Sequence, residues 1–341
     1  MRRTAVGILG ALVLAVGLAG GAAAQGDAKA KLQSLKPKDY PTQPIEFVVV
    51  YPAGGGMDVT ARLLAKYVEK YTDQRVIVVN RTGGAGLIGH TYLAMQAKND
   101  GYTVGILANP FWTEDELIRA KGKWSHKDMT ALGFINYDPV TWIVSTDGPF
   151  KDKSVKDMVA LAKDKPGTVR ISIAPEGAFQ FLAESVEATT GAKFVKVPFQ
   201  GGAPGVTALV GGHVDIATAF LAEYRGHLDA GKVRVIAVAG QERSVFFPQV
   251  VTFNEALSTD SLVWLAWRFA AVPKGVSADR LKYLEVAIDT AMHDRELVEE
   301  YRKMGVIAGT RYLTSDETAG ELERFYGSHK EFLTKTGRIP K

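Results

Sequence analysis

Two glycine runs are the residues here best suited to chemistry. Gly84-Ala85-Gly86-Leu87-Ile88-Gly89 fits the spacing G-x-G-x-x-G, and Gly54-Gly55-Gly56 forms a second run. Each follows an apolar run and precedes a stretch with helical spacing. A glycine loop lets backbone approach a ligand closely. The helix after it presents unpaired N–H groups and a positive dipole end. That combination holds carboxylate as readily as phosphate. A dinucleotide fingerprint also wants an acid about 20 positions on, at the next strand end. That place holds Ala108-Asn109-Pro110, and Glu114 and Asp115 come only later. The triple glycine lacks the G-K-[ST] ending of a P-loop. The loops are therefore read as paired anion-binding helix starts rather than nucleotide sites. Asp58 is expected as the N-cap of the first helix.

Catalytic constellations are missing. There is no G-x-S-x-G or H-E-x-x-H, and the six histidines are scattered. His90 and His213 are read as surface or helix-start residues, and Asp138 and Glu176 as solvated loop carboxylates. Trp264 and Trp267 lie in a strand-like run. They are expected on opposite faces, with two core residues as the alternative. Phe111 and Trp112 follow a strand end and either line a pocket or cover a domain edge. Cysteine is absent, which excludes disulfides, zinc–thiolate sites and a lipid-anchored cysteine. No cofactor and no metal site is implied.

The elements that must position these loops are legible as alternating strands and helices. Ile45–Tyr51 is nearly continuous in apolar residues, as a buried parallel strand is. Val59, Leu63, Leu64, Tyr67 and Val68 then recur at helical spacing. Arg75–Asn80, a loop, Leu87–Ala97 and the strand Thr103–Leu107 repeat the pattern. A second series starts near Thr141 and includes a helix opened by the capping box Ser154/Asp157. "SLVWLAWRFAAVP" is read as one strand leading back to the first series. Terminal helices are expected over Ser277–His293, Arg295–Met304 and Ser315–Thr334, the last with Thr314 and Glu317 as cap. Such alternation predicts mostly parallel sheets flanked by helices.

The chain has 341 residues, 46% apolar and 23% charged, enough for two domains of roughly 100–200 residues each. Arg2 and Arg3, the apolar stretch from Ala5 to Gly21 and Ala22-Ala23-Ala24 read as a cleavable secretory signal over residues 1–24. Residues 25–43 read as a loose leader. Without Arg2 and Arg3 the 41 basic residues fall to 39 against 37 acidic ones, a net +2. That is no electrostatic footprint for nucleic acid. A free periplasmic monomer is expected.

Taken in order, "PIEFVVVYPAGGGMDVTARLLA", "RVIVVNRTGGAGLIG", "DGYTVGI", "VPFQGGAPGVTALVGGHVD", "AGKVRVIAVA" and "FAAVPKGV" resemble the periplasmic solute-binding receptors of tripartite tricarboxylate transporters, the Bug or TctC family. The resemblance spans residues 44 to 335. It implies a two-domain Venus flytrap of the type II kind, with domain I over 44–140 and 262–341 and domain II over 141–261. Such a receptor closes on one small organic acid, passes it to membrane permease subunits and performs no chemistry. The implied ligand contacts are Tyr51-Pro52-Ala53-Gly54-Gly55-Gly56-Met57-Asp58 and, within Gly83–Leu87, Gly84-Ala85-Gly86-Leu87. Asn109 at the third strand end joins them. The opposing loops are Pro175-Glu176-Gly177-Ala178-Phe179 and Phe199–Pro204, with Phe199 and Gly201, together with the strand end Ala219-Phe220.

Several positions depart from the family's usual pattern. Met57 stands where Thr or Ser is usual, and Leu87 where Asn is common. Pro175–Phe179 replaces G-x-G-T-S, and Ala219-Phe220 replaces Asp-Asn. Each change removes a polar contact or adds apolar surface, and an unpaired buried carboxylate is costly. A ligand with one carboxylate and a partly apolar or aromatic body is expected, with Phe179, Phe220 and Trp112 able to stack on it. Glu176 has a second reading as partner of a cationic ligand group. Two other functions remain open: an exported α/β enzyme acting on an organic acid, and a sensor subunit that presents ligand to a signalling receptor.

Overall fold

A computed structural model describes residues 26–175, 177–308 and 313–340. The expected signal segment and Glu176 lie outside the described residues. The first sheet has the order β2-β1-β3-β10-β4. Its strands are β1 (Ile45–Val49), β2 (Val76–Asn80), β3 (Thr103–Asn109), β4 (Met129–Pro139) and β10 (Leu265–Pro273). β1 pairs parallel with β2 and β3, while β10 runs antiparallel to β3 and β4. The helices α1 (Gly56–Thr72) and α2 (Leu87–Met95) follow β1 and β2. The residues of β3 are all buried, which explains its unbroken apolar run.

The second sheet is built from β5 (Thr141–Ser145), β8 (Ala217–Ala219) and β9 (Val233–Val238), in the order β8-β5-β9. Both pairings of β5 are antiparallel. A parallel pair, β6 (Arg170–Ile173) and β7 (Val195–Pro198), joins it through a bridge between Ile171 and Ile216. α/β layering is present as expected, but antiparallel pairing is more frequent than strand–helix alternation predicts. The cause is the route of the chain. It leaves the first sheet at Pro139 and returns near Leu265, so the crossing strands meet their neighbours from the opposite end. Three backbone bonds tie the crossing: Val140 N–H to Trp264 O at 2.9 Å, Trp264 N–H to Ala239 O at 2.9 Å, and Ala239 N–H to Val140 O at 2.8 Å.

Several elements differ from expectation. Residues 26–43 are no loose leader: 26–34 are helical, Leu32 and Tyr40 are fully buried, and the Tyr40 hydroxyl donates to Gly101 O at 2.6 Å. β4 was not legible, because Asn136 and Asp138 interrupt its apolar pattern. The strand at "SLVWLAWRFAAVP" begins only at Leu265. Trp267 packs on Phe134 and Phe325, at 5.3 and 5.9 Å between ring centroids. Trp264, just before the strand, packs on Phe181 and Phe332 at 5.7 and 5.3 Å. Both tryptophans therefore serve packing. The capping boxes Ser154/Asp157 and Thr314/Glu317 form as read.

Candidate functional site

The loop after β1 ends in the N-cap Gly55 of α1. Asp58 is not that cap. It sits in the first turn, buried, and its carboxylate accepts from Gly54 N–H at 2.9 Å, Arg62 Nε at 2.8 Å and Asn80 Nδ2 at 2.9 Å. Burial alone would raise its pKa, but these bonds hold the carboxyl below the ordinary aspartate range. Asn80 also donates to Tyr51 O at 3.0 Å. Asp58 and Asn80 thus lock the first loop to the neighbouring strand. The Gly55 N–H turns back onto Pro52 O at 3.4 Å, and Asp58 sets a carboxylate of its own in the first turn of the 17-residue helix.

The second loop behaves differently. Gly84–Gly86 is a 3₁₀ turn. The N–H groups of Gly86 and Ile88 donate to Gly83 O at 3.1 and 3.4 Å, and that of Leu87 to Gly84 O. These donors are consumed locally. Ala85, at φ +52°, is held in left-handed backbone. Beneath the loop, Arg119 Nη1 donates to Gly84 O at 2.9 Å. Arg119 pairs with buried Asp115, which also bonds His90 Nδ1 at 2.5 Å. His90 is therefore a fully buried support residue and not a surface one.

Between the two sheets runs a chain of rings. Tyr51 meets Phe111 edge-on at 5.7 Å, Phe111 meets Phe220 at 6.4 Å, and Phe220 meets Phe179 at 5.0 Å. Phe111 packs against the cores of both sheets. A Cβ on Gly177 would lie 3.2 Å from Phe111 Cε1, so a larger residue there would crowd that ring. Trp112, by contrast, is 1% exposed and stacked with Trp124 at 4.6 Å.

A polar cluster lies beside the rings. Arg268 of β10 is buried and pairs with buried Asp138 of β4. Asp138 is thus a strand residue in an ion pair, not a solvated loop carboxylate. Burial raises its pKa, opposed by Arg268 and the Ile307 N–H. Arg268 Cζ stands 5.5 Å from the Phe220 ring centroid, and its Nη2 lies 3.1 Å from where a Gly56 Cβ would be. Arg268 Nε and both amide atoms of Asn136 are buried without a hydrogen-bond partner; Asn136 is the register partner of Arg268 on β4. Across the crossing is Glu223, in the first turn of α7 (Leu221–Asp229). Its carboxylate accepts from Phe220 N–H at 2.9 Å. Burial pushes its pKa up to about 7 against the pull of that N–H, of Arg268 and of the Gly202 N–H, with Asp138 adding to the rise.

The remaining candidates are spread out. Pro52, Ala53, Gly54, Gly84 and Pro175 are exposed, while Gly55, Ala85 and Gly201 are half-buried. Met57 is buried in the first core and Leu87 packs at its edge. Ala178 belongs to the second core, Ala219 is buried in β8, and Phe199 packs on the side of the second sheet that carries α6 (Gly202–Val210) and α7. Asn109 is buried, accepting from Thr113 Oγ1 at 2.8 Å, with its Nδ2 unpartnered. Arg268, Asn136 and Glu223 were missed. The available signal was Arg268 itself, a charge inside the apolar run "WLAWRFAAVP".

A profile described as "Tripartite tricarboxylate transporter family receptor" matches residues 60–314. Protein BugT of Bordetella pertussis is 29% identical over 299 residues, covering 86% of this chain and 90% of its own. Among solved structures, a TctC solute binding protein from Polaromonas, without ligand, is 30% identical with a TM-score of 0.65, covering 87% of this chain and 99% of that one. The periplasmic binding protein BugD and the R. palustris protein Rpa4515 with adipate each reach a TM-score of 0.79 at 23% identity, covering 88% of this chain and 99% of theirs.

Two outcomes follow from the polar cluster. Asp138→Ala leaves Arg268 buried without its counter-charge and is expected to cost about 3–5 kcal/mol in denaturant unfolding. The double variant Asp138→Leu/Arg268→Met should recover most of it, and equal losses in both would contradict the ion-pair reading. Glu223, with its raised pKa, holds its proton in the folded state at pH values where the unfolded chain has lost it. Folded stability contributed by this group therefore falls as pH rises from the ordinary glutamate range through about 7. Glu223→Gln cannot ionise, so its melting temperature relative to wild type should climb between pH 5 and pH 8. A constant difference across that range would count against the assignment.

Proposed function

Because the chain belongs to the tripartite tricarboxylate transporter receptor family, we propose that it captures a small organic acid in the periplasm for the membrane subunits of such a transporter. The ligand carries one carboxylate and a partly apolar or aromatic body. Residues 44–140 with 262–341 form one domain and 141–261 the other, hinged where Val140, Ala239 and Trp264 exchange backbone bonds. The carboxylate sits on the first turn of α1, against Gly55-Gly56, and the body lies among Tyr51, Phe111, Phe179 and Phe220. The protein binds and releases its ligand unchanged.

The observation that carries this reading is the ring contact from Phe111 to Phe220 at 6.4 Å. It sets an apolar surface between the two sheets beside a helix start that favours an anion. A cleft with apolar walls and a few fixed polar groups is where a small ligand is held. Aromatic walls reward a flat or apolar body and give nothing to a second charge. No helix among the described residues is long and apolar enough to cross a membrane, in keeping with a receptor that hands its ligand to separate membrane subunits.

Thermal-shift and calorimetric screening tests the ligand class. Phenylacetate, benzoate and C4–C6 monocarboxylates should raise the melting temperature, citrate and short dicarboxylates much less. Phe111→Ala should weaken the best monocarboxylate about 10- to 100-fold, on the order of 1.4–3 kcal/mol. A protein that answers only to citrate-like or dicarboxylic acids would overturn the proposal.

A further inference from the structure

The second sheet's helices reserve their own anion position. α6 (Gly202–Val210) and α7 are each nine residues long, and their N-terminal ends converge on one side chain. Glu223 accepts from Phe220 N–H, the N-cap of α7, at 2.9 Å and from the N–H of Gly202 at the start of α6. Phe220 has no side-chain oxygen, so only the glutamate half of a capping box is made. A Cβ on Gly202 would lie 2.1 Å from Glu223 Oε2. Any larger residue there would expel the carboxylate. The place where two helix dipoles favour a negative charge is thus filled by a carboxylate tethered to the chain.

We propose that Glu223 is a specificity-determining residue that occupies the second domain's anion position and so rejects ligands with a second carboxylate. The inference rests on the carboxylate-receptor reading above. A ligand held by its carboxylate at α1 would bring a second carboxylate toward Phe220. It would find both helix starts taken. Above about pH 7, where Glu223 is ionised, it would also meet two carboxylates, Asp138 and Glu223, against the single guanidinium of Arg268, which Asp138 already pairs. Discrimination by an unmatched like charge is an effective way to separate ligands of one shape. An apolar or hydrogen-bond-donating tail meets no such penalty.

Length-matched pairs test this: butyrate with succinate, pentanoate with glutarate, and hexanoate with adipate. Binding is measured by calorimetry at pH 8.0 on wild type and on Glu223→Gln. Glu223→Ser, whose hydroxyl can still accept from Phe220 N–H, serves if the first variant fails to give a native circular dichroism spectrum and a cooperative melt. At least one dicarboxylate should bind a folded variant tenfold or more tightly than it binds wild type, with its affinity relative to the matched monocarboxylate rising by the same factor. If no dicarboxylate gains in a folded variant, Glu223 has no such role, even where wild type binds monocarboxylates well. If wild type already prefers a dicarboxylate over its matched monocarboxylate, the ligand-class reading falls, and the change in the variant still decides the role of Glu223.

Discussion

The ion pair of Arg268 and Asp138 is the constraint around which the rest is arranged. Both groups are buried, and a lone charge at that depth would not be tolerated. Their pairing fixes β10 against β4, the two strands through which the chain leaves the first sheet and returns to it. It also holds a guanidinium beside Gly56, at the positive end of α1. A cation is disfavoured at a helix start, so Asp138 must stay close, and the strands that carry the pair must keep their register. The backbone bonds among Val140, Ala239 and Trp264 lie just beyond it.

The helix starts around that crossing use their backbone donors differently. At α1 the loop is braced by Asp58 and Asn80. At α2 the donors turn back onto Gly83 and Gly84. At α6 and α7 a resident carboxylate takes them. Three glycine-containing helix starts that look equivalent as sequence thus have three different electrostatic states. The aromatic chain from Tyr51 to Phe179 lies between them.

Much of this was legible in the residues. The glycine loops, the strand–helix alternation, Ser154/Asp157 and Thr314/Glu317 depend on local chemistry, and local chemistry is visible in a sequence. Phe179 and Phe220 were singled out as departures from a family pattern and do meet in space. What escaped was polar burial. Asp138, His90 and Asp58 were read as surface or capping groups because an isolated polar residue is most often solvated. Each is instead buried against a partner distant in the chain: Asp138 with Arg268, His90 with Asp115, and Asp58 with Asn80. Only tertiary structure supplies those partners. Trp112 and Met57, apolar side chains next to loops, lie in the first core, which their sequence neighbours do not reveal.

The most direct test is a crystal structure of the protein saturated with the tightest monocarboxylate from the screen. Its carboxylate is expected within hydrogen-bonding distance of the first-turn N–H groups of α1, its apolar body between Phe111 and Phe220, and Glu223 still bonded to the Phe220 and Gly202 N–H groups. A carboxylate seated instead on α6 and α7, with Glu223 displaced, would contradict it.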